Sequence, residues 1–269
     1  MACDAHCHPF DLNKVYPSAE EDRQRLNITC AASAWNIDDW MFNETLSKKS
    51  MPQPSTKLCF AVHPQLPALL QNQALSAYTL QASVNRSVED SLFLLEKLAA
   101  ENKLDAVGET GFDFFNANFK STETAQEKLF EEHLDIAIAN NLPLVLHIRK
   151  AHQKIFCYCS KLKKLKALVF HSYSGTIEDA QSLLRRGINA YFSFGNAILL
   201  KHKTAIKTCA KIYAKHILFE TDAPYQPQYG NGYSSYVDID KIITEAAKLK
   251  SIDKIQLEKI SDNNFFTIF

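Results

Sequence analysis

Six residues in this chain stand where apolar runs end, and all are of types that bind cations or carry protons. "DAHCHPF" holds His6 and His8, one residue apart. "AVGETGFDFF" holds Glu109, "LVLHIR" holds His147, "LVFHSYSG" holds His171 and "LFETDAPY" holds Asp222. In an extended strand, residues i and i+2 point to the same face, so His6 and His8 present two imidazoles side by side. Read singly, each residue has a plain alternative. A histidine after an apolar run can be a hydrogen-bonded core residue, the glutamate a solvated loop residue, and Asp222 a turn cap. Read together, they pose an energetic problem, because burying several ionisable groups is costly unless they are paired or bind a cation. Four imidazoles with two carboxylates are what divalent transition metals prefer. The set therefore reads as a metal site.

Something must bring together residues spread from position 6 to position 222. The chain alternates short apolar runs with longer amphipathic segments. The runs are 2–8, 27–35, 57–64, 104–113, 142–149, 166–173, 187–195 and 216–224. Several, such as "LPLVLHIR" and "KALVFHSY", are nearly continuous hydrophobics, as expected of parallel strands covered on both faces. Between them lie helical patterns. "SVEDSLFLLEKLAAEN" opens on Ser87 with Asp90 three residues on, a capping box with Asp in place of Glu. "TETAQEKLFEEHLDIAIANN" sets Leu129, Phe130, His133, Leu134, Ile136 and Ala137 along one face. Residues 9–26 and 65–86 are the least regular connections and are expected to hold short helices or loops. Eight β-then-α units without a Gly/Ser linker or low-complexity tract predict a single (β/α)8 TIM barrel over residues 1–269, and such barrels carry their chemistry at the C-terminal ends of the strands. A doubly wound open sheet normally shows a glycine-rich phosphate loop after its first strand; here "HCHPFDL" occupies that place.

The 269 residues suffice for one full core. Lys plus Arg and Asp plus Glu are both 30, so no global field recruits polyanions, and a nucleic acid would need a local patch. The seven cysteines are scattered without CxxC spacing, which fits free thiols in a reducing compartment. Cys157 and Cys159 read as structural. With no basic leader before an apolar run and no membrane-length apolar stretch, a cytoplasmic protein without membrane association is expected. No obligate protein partner is evident. Lys203, Lys207, Lys211 and Lys215 recur at i+4 as a solvated helical stripe. Lys161, Lys163, Lys164 and Lys166 run into the sixth strand and so belong at the opposite end of the barrel from the chemistry.

The motifs quoted above, in that order and near those spacings, resemble the TatD-like metal-dependent hydrolases (TatD-related deoxyribonucleases). The closing "NNFFTIF" resembles that family's Asn-x-x-Arg-Leu-Phe ending. The resemblance spans the chain. It implies a TIM barrel with two divalent ions (Zn, Mg or Mn): His6, His8, Glu109 and Asp222 around one, Glu109, His147 and His171 around the other, Glu109 bridging. Many amidohydrolases bridge with a modified lysine, but no lysine ends a strand here in a comparable motif. The implied activity is a metal-dependent phosphodiesterase, a deoxyribonuclease of exonuclease type, with DNA or another nucleic acid as substrate. The alternative is an ester- or amide-bond hydrolase of the same fold, such as an aminoacyl-tRNA deacylase. A metal-holding barrel without activity would call for a broken ligand set, and the set is complete.

Glu109 and Asp222 are the expected catalytic residues, Asp222 doubling as ligand and proton acceptor. His63 and Arg149 are expected at the substrate, Arg being a good bidentate phosphate partner. One of Phe112, Phe114 and Phe115 could stack on a base. The chain departs from the family pattern at Thr267, where Arg is usual, at Lys150, where Asp is common, and in "QPQYGNGYSSY", which lacks the usual basic residues after the last strand.

Overall fold

The structure is a computed structural model and describes residues 2–49, 54–71, 88–228 and 230–269. Eight strands form one parallel sheet in sequence order: β1 Cys3–Cys7, β2 Thr29–Ala34, β3 Thr56–Phe60, β4 Ala106–Asp113, β5 Leu144–Arg149, β6 Leu168–Phe170, β7 Ala190–Phe194 and β8 Ile217–Phe219. Helices alternate with them, giving the expected (β/α)8 barrel. Every strand is almost wholly buried, which matches the apolar runs. Residues 9–26 form two helices, Pro9–Val15 and Ala19–Leu26, the first with its proline at a position where the missing N–H costs nothing. Leu66–Gln71 is a short helix. The capping box cannot be placed, because Ser87 lies outside the described residues.

Three strands are shorter than their apolar runs. β3, β6 and β8 stop at Phe60, Phe170 and Phe219, so His63, His171 and Asp222 sit on the segments that follow. After β6 and β8 the extended backbone is broken by left-handed residues, Ser172 at φ 46° and Asp222 at φ 53°. A turn just past each strand end points these side chains inward over the barrel mouth.

Ladder bonds join β1 through β8 consecutively. The seam between β1 and the segment after β8 is closed by other means. Asp222 N donates to His6 O at 2.9 Å, and His8 N to Ala223 O at 2.7 Å. The buried Asp4 carboxylate accepts from Thr221 N (2.9 Å) and Thr221 Oγ1 (2.6 Å).

Small residues fill the barrel interior: Cys3, Ala5, Ala31, Cys59, Ala106 and Val145 with Val169, Tyr191 and Leu218. Phe265 and Ile268 of the helix Lys254–Ile268 pack into the same cluster. Within the closing motif, Asn264 donates to Ala214 O and Ile217 O at 3.0 and 2.8 Å, holding the entry to β8. Thr267, at the family's Arg position, is exposed and its hydroxyl donates back to Asn263 O at 2.7 Å. The larger apolar cluster lies between strands and helices. There Phe130, Leu134 and Ala137 of the helix Glu123–Ala139 are buried and Ile136 is half-buried, while Leu129 of the same helix packs with Val62 and Leu66 and His133 is buried. The four lysines of the i+4 stripe are exposed.

Candidate metal centre

The strand ends deliver the expected side chains to one place. His6 and His8 meet edge to face with ring centroids 4.9 Å apart and Nε2 atoms 3.2 Å apart. Asp222 Oδ1 faces both, 3.7 Å from His6 Nε2 and 3.5 Å from His8 Nε2. The seam bonds between β1 and residues 222–223 set this approach. Glu109 enters from β4 and divides its two oxygens. Oε2 lies 3.2 Å from His6 Nε2 and 3.6 Å from His8 Nε2. Oε1 lies 2.5 Å from His147 Nδ1, 2.8 Å from His171 Nε2 and 3.3 Å from His63 Nε2. His63, expected at the substrate, thus stands against the same carboxylate oxygen as His147 and His171. Among the described residues, three groups bring possible ligand atoms within 4.8 Å of one another: His6, His8 and Asp222; His6, Glu109 and His171; His63, Glu109 and His147.

Burial alone would push the Glu109 carboxyl up; His171, His63, His6 and His147 instead hold it well below the usual carboxylate range. Asp222 is likewise held down against burial, by its contact with His8 and by His171 and His6. His6 is held below its ordinary value by burial and by His171, so it favours the neutral form in which imidazole binds metals. Burial also opposes charge on His8, but Asp222 and Glu109 raise it to about 9.

The donor set fits divalent ions. The nitrogens that do not face the carboxylates mostly have contacts of their own, as metal-ligating histidines do. His6 Nδ1 bonds to Ser33 Oγ at 3.1 Å, and His147 Nε2 to Asp113 Oδ2 at 3.0 Å. His171 Nδ1 is 3.6 Å from Glu220 Oε1, an ionic contact too long for a hydrogen bond. His8 Nδ1 is buried without a hydrogen-bond partner among the described residues.

Glu109 and His147 can approach because of glycines. The register sets Gly111 opposite His147 and Asp113 opposite Arg149. Gly111 has φ 138°, and a Cβ there would collide with the His147 carbonyl oxygen.

Above the cluster opens a cavity of about 740 Å³ lined by His63, Arg149, Trp35, Phe115, Tyr225 and Gln226 among others. Of the three phenylalanines, Phe112 is core, Phe114 packs against the core, and Phe115 is exposed at the cavity. The Arg149 guanidinium lies 4.0 Å from the Phe115 ring centroid and 3.4 Å from Asp113 Oδ2. Cys157 is exposed, Cys159 half-buried, and all seven cysteines are free.

Asp113, Ser33, Glu220 and Gln226 were not singled out by sequence. The signal for Asp113 is the strand period: Glu109, Gly111 and Asp113 fall on one face of β4. For Gln226 the signal is the loop without basic residues. Its Nε2 donates to Asp222 Oδ2 and to Ser172 Oγ, both at 2.6 Å, so that loop braces Asp222.

Eight parallel strands with histidines and carboxylates converging at their C-terminal ends define a barrel of the metal-dependent hydrolase class. Residues 3–269 match the family described as TatD related DNase. An uncharacterized metal-dependent hydrolase of Mycoplasma genitalium is 30% identical over 276 residues, covering 99% of this chain and 98% of its own. A 3'-5' ssDNA/RNA exonuclease TatD of Cronobacter turicensis is 28% identical over 280 residues, covering 97% of each. The crystal structure of a TatD homolog from Escherichia coli superposes with a TM-score of 0.81 at 22% identity, covering 100% of this chain and 97% of that one. The chain belongs to the TatD related DNase family, and it is a metal-dependent hydrolase. Among the described residues no helix is long and apolar enough to cross a membrane.

Proposed function

We propose that this protein is a binuclear metal-dependent phosphodiesterase that removes nucleotides from an end of single-stranded nucleic acid. One observation carries the reading: Glu109 turns one oxygen to His6 and His8 and the other to His147 and His171, the arrangement of a carboxylate shared between two cations. His6, His8, Asp222 and Glu109 would hold one divalent ion, and Glu109, His147 and His171 would hold the second, with His63 3.3 Å from Glu109 Oε1. When bound, the ions would supply charge neutralisation for a phosphodiester and a lowered pKa for water.

The chain's own groups do the rest. Asp222 receives the proton of the attacking water on Oδ1; Gln226 occupies Oδ2 and fixes the carboxylate plane. Arg149, at the cavity wall, meets a non-bridging phosphate oxygen. Phe115 at the same wall, whose ring carries the Arg149 guanidinium at 4.0 Å and the Lys150 ammonium at 4.7 Å, would stack on a base once those cations turn to phosphate. The nucleic-acid substrate draws support from the TatD relatives named as 3'-5' ssDNA/RNA exonucleases. A cytoplasmic location accords with this substrate.

The test is hydrolysis of end-labelled single-stranded DNA and RNA, an aminoacyl-tRNA and a simple carboxylic ester, each with Mg²⁺, Mn²⁺ or Zn²⁺. Stepwise shortening from the 3' end is expected. Release of the amino acid without phosphodiester cleavage would transfer the same site to ester hydrolysis.

A further inference from the structure

We infer that Asp113 is a positioning residue: its carboxylate holds the His147 proton on Nε2 and so leaves the Nδ1 lone pair free for the second ion beside Glu109. This rests on the two-ion reading above. A neutral imidazole carries one proton, and the partner of one nitrogen decides what the other can do. His147 Nδ1 faces Glu109 Oε1 at 2.5 Å, and the opposite Nε2 lies 3.0 Å from Asp113 Oδ2. A carboxylate only accepts, so Nε2 donates to Asp113; with the second ion between Nδ1 and Glu109, the single proton of the neutral ring is the one on Nε2. The arrangement differs at His6, where Ser33 Oγ can donate or accept and fixes no tautomer.

Asp113 can impose this because it cannot move. It is fully buried. Its Oδ1 accepts from Phe115 N at 2.8 Å and its Oδ2 from Gln65 Nε2 at 2.6 Å. Its backbone is clamped at both polar atoms by one side chain. Asp113 N donates to Gln126 Oε1 at 2.8 Å, and Gln126 Nε2 donates to Asp113 O at 3.3 Å. Gln126 is itself fully buried on the helix Glu123–Ala139. A rigid path thus runs from that helix through Asp113 to a ring nitrogen at the centre. Arg149 adds its charge to Oδ2 at 3.4 Å, which ties the residue expected at the phosphate to the same carboxylate.

The experiment counts ions rather than turnover. Mn²⁺ is titrated into metal-free wild type, D113A and D113N, with free Mn²⁺ read by electron paramagnetic resonance. D113A is expected to bind one ion as wild type does and the other 10–100-fold more weakly, the usual cost of losing such a partner. D113N, whose amide oxygen can still accept from Nε2, is expected to recover most of the loss. Wild-type constants in D113A would overturn the inference, as would D113N binding no better than D113A. A second readout does not depend on the variants folding: nitrogen NMR of zinc-loaded wild type should show the His147 proton on Nε2, and a proton on Nδ1 would refute the assignment. If wild type itself binds no second ion, the two-ion reading fails first and this one with it.

Discussion

His133 offers a sharp test of how the barrel holds its site, since it is a buried titratable group outside the metal centre. It lies on the inner face of the helix Glu123–Ala139 and is fully buried. Its Nε2 accepts from Val62 N at 2.9 Å, one residue before His63, and its Nδ1 meets Leu129 O. Accepting from a backbone N–H requires a neutral Nε2, and burial lowers the pKa from 6.5 to about 4. Because the folded value is depressed, the unfolded chain takes the proton first as pH falls. The stabilisation is therefore complete above about pH 6.5 and is lost between there and pH 4. Working the linkage from those two values, the loss between pH 7 and pH 5 is about 2 kcal/mol, order of magnitude. Urea unfolding of metal-free wild type and His133→Gln at both pH values isolates it, since the metal-centre histidines are common to both proteins. The wild type should lose about 2 kcal/mol more than the variant over that interval. Parallel pH dependences would mean that His133 does not stay neutral in the fold, and the account of its bond to Val62 would be wrong.

Glu109→Gln should weaken both ions, because one carboxylate serves both sides; calorimetric Mn²⁺ titration should show no remaining tight site, and retention of two would sink the bridging role. Asp222→Asn should lower kcat by about 10²–10⁴-fold with much less change in KM, measured with ion content determined in both proteins, as expected if Asp222 takes the water's proton. Gly111→Ala combines a left-handed backbone angle with a clash on the His147 carbonyl, so thermal unfolding should report a loss of about 1–3 kcal/mol, together with weaker binding of the second ion. Phe115→Ala should raise KM on single-stranded substrate with kcat nearly intact, since a stacked base contributes about 1–3 kcal/mol of binding; an unchanged KM would place the base elsewhere.

The barrel was legible because parallel strands buried on both faces leave long apolar runs, and the converging histidines and carboxylates were legible because each stands at or just past the end of such a run. What stayed hidden depends on neighbours that no run reveals. Asp113 is a carboxylate near a strand end, indistinguishable from a turn residue until the register of β4 and β5 sets it beside His147 and Arg149. His63 reads as a rim residue until the chain past β3 folds it against Glu109. Gln226 is an unremarkable amide in an irregular loop, yet the turn after Asp222 delivers it to that carboxylate. Run lengths overstated β3, β6 and β8, because apolar residues continue past the point where the chain leaves the sheet, by a left-handed residue after β6 and β8.

The seam between the first strand and the segment after the last has a consequence for biosynthesis. His6 and His8 emerge from the ribosome early, but Asp222, which both faces them and stitches its backbone to theirs, follows roughly 200 residues later, about 10–40 s at ordinary elongation rates. Through that interval the nascent chain carries an imidazole pair with neither of its carboxylates at first, and then with Glu109 alone. The group formed by His6, His8 and Asp222 therefore comes together only when the seam closes, so a cation held there would act as a rivet across that joint.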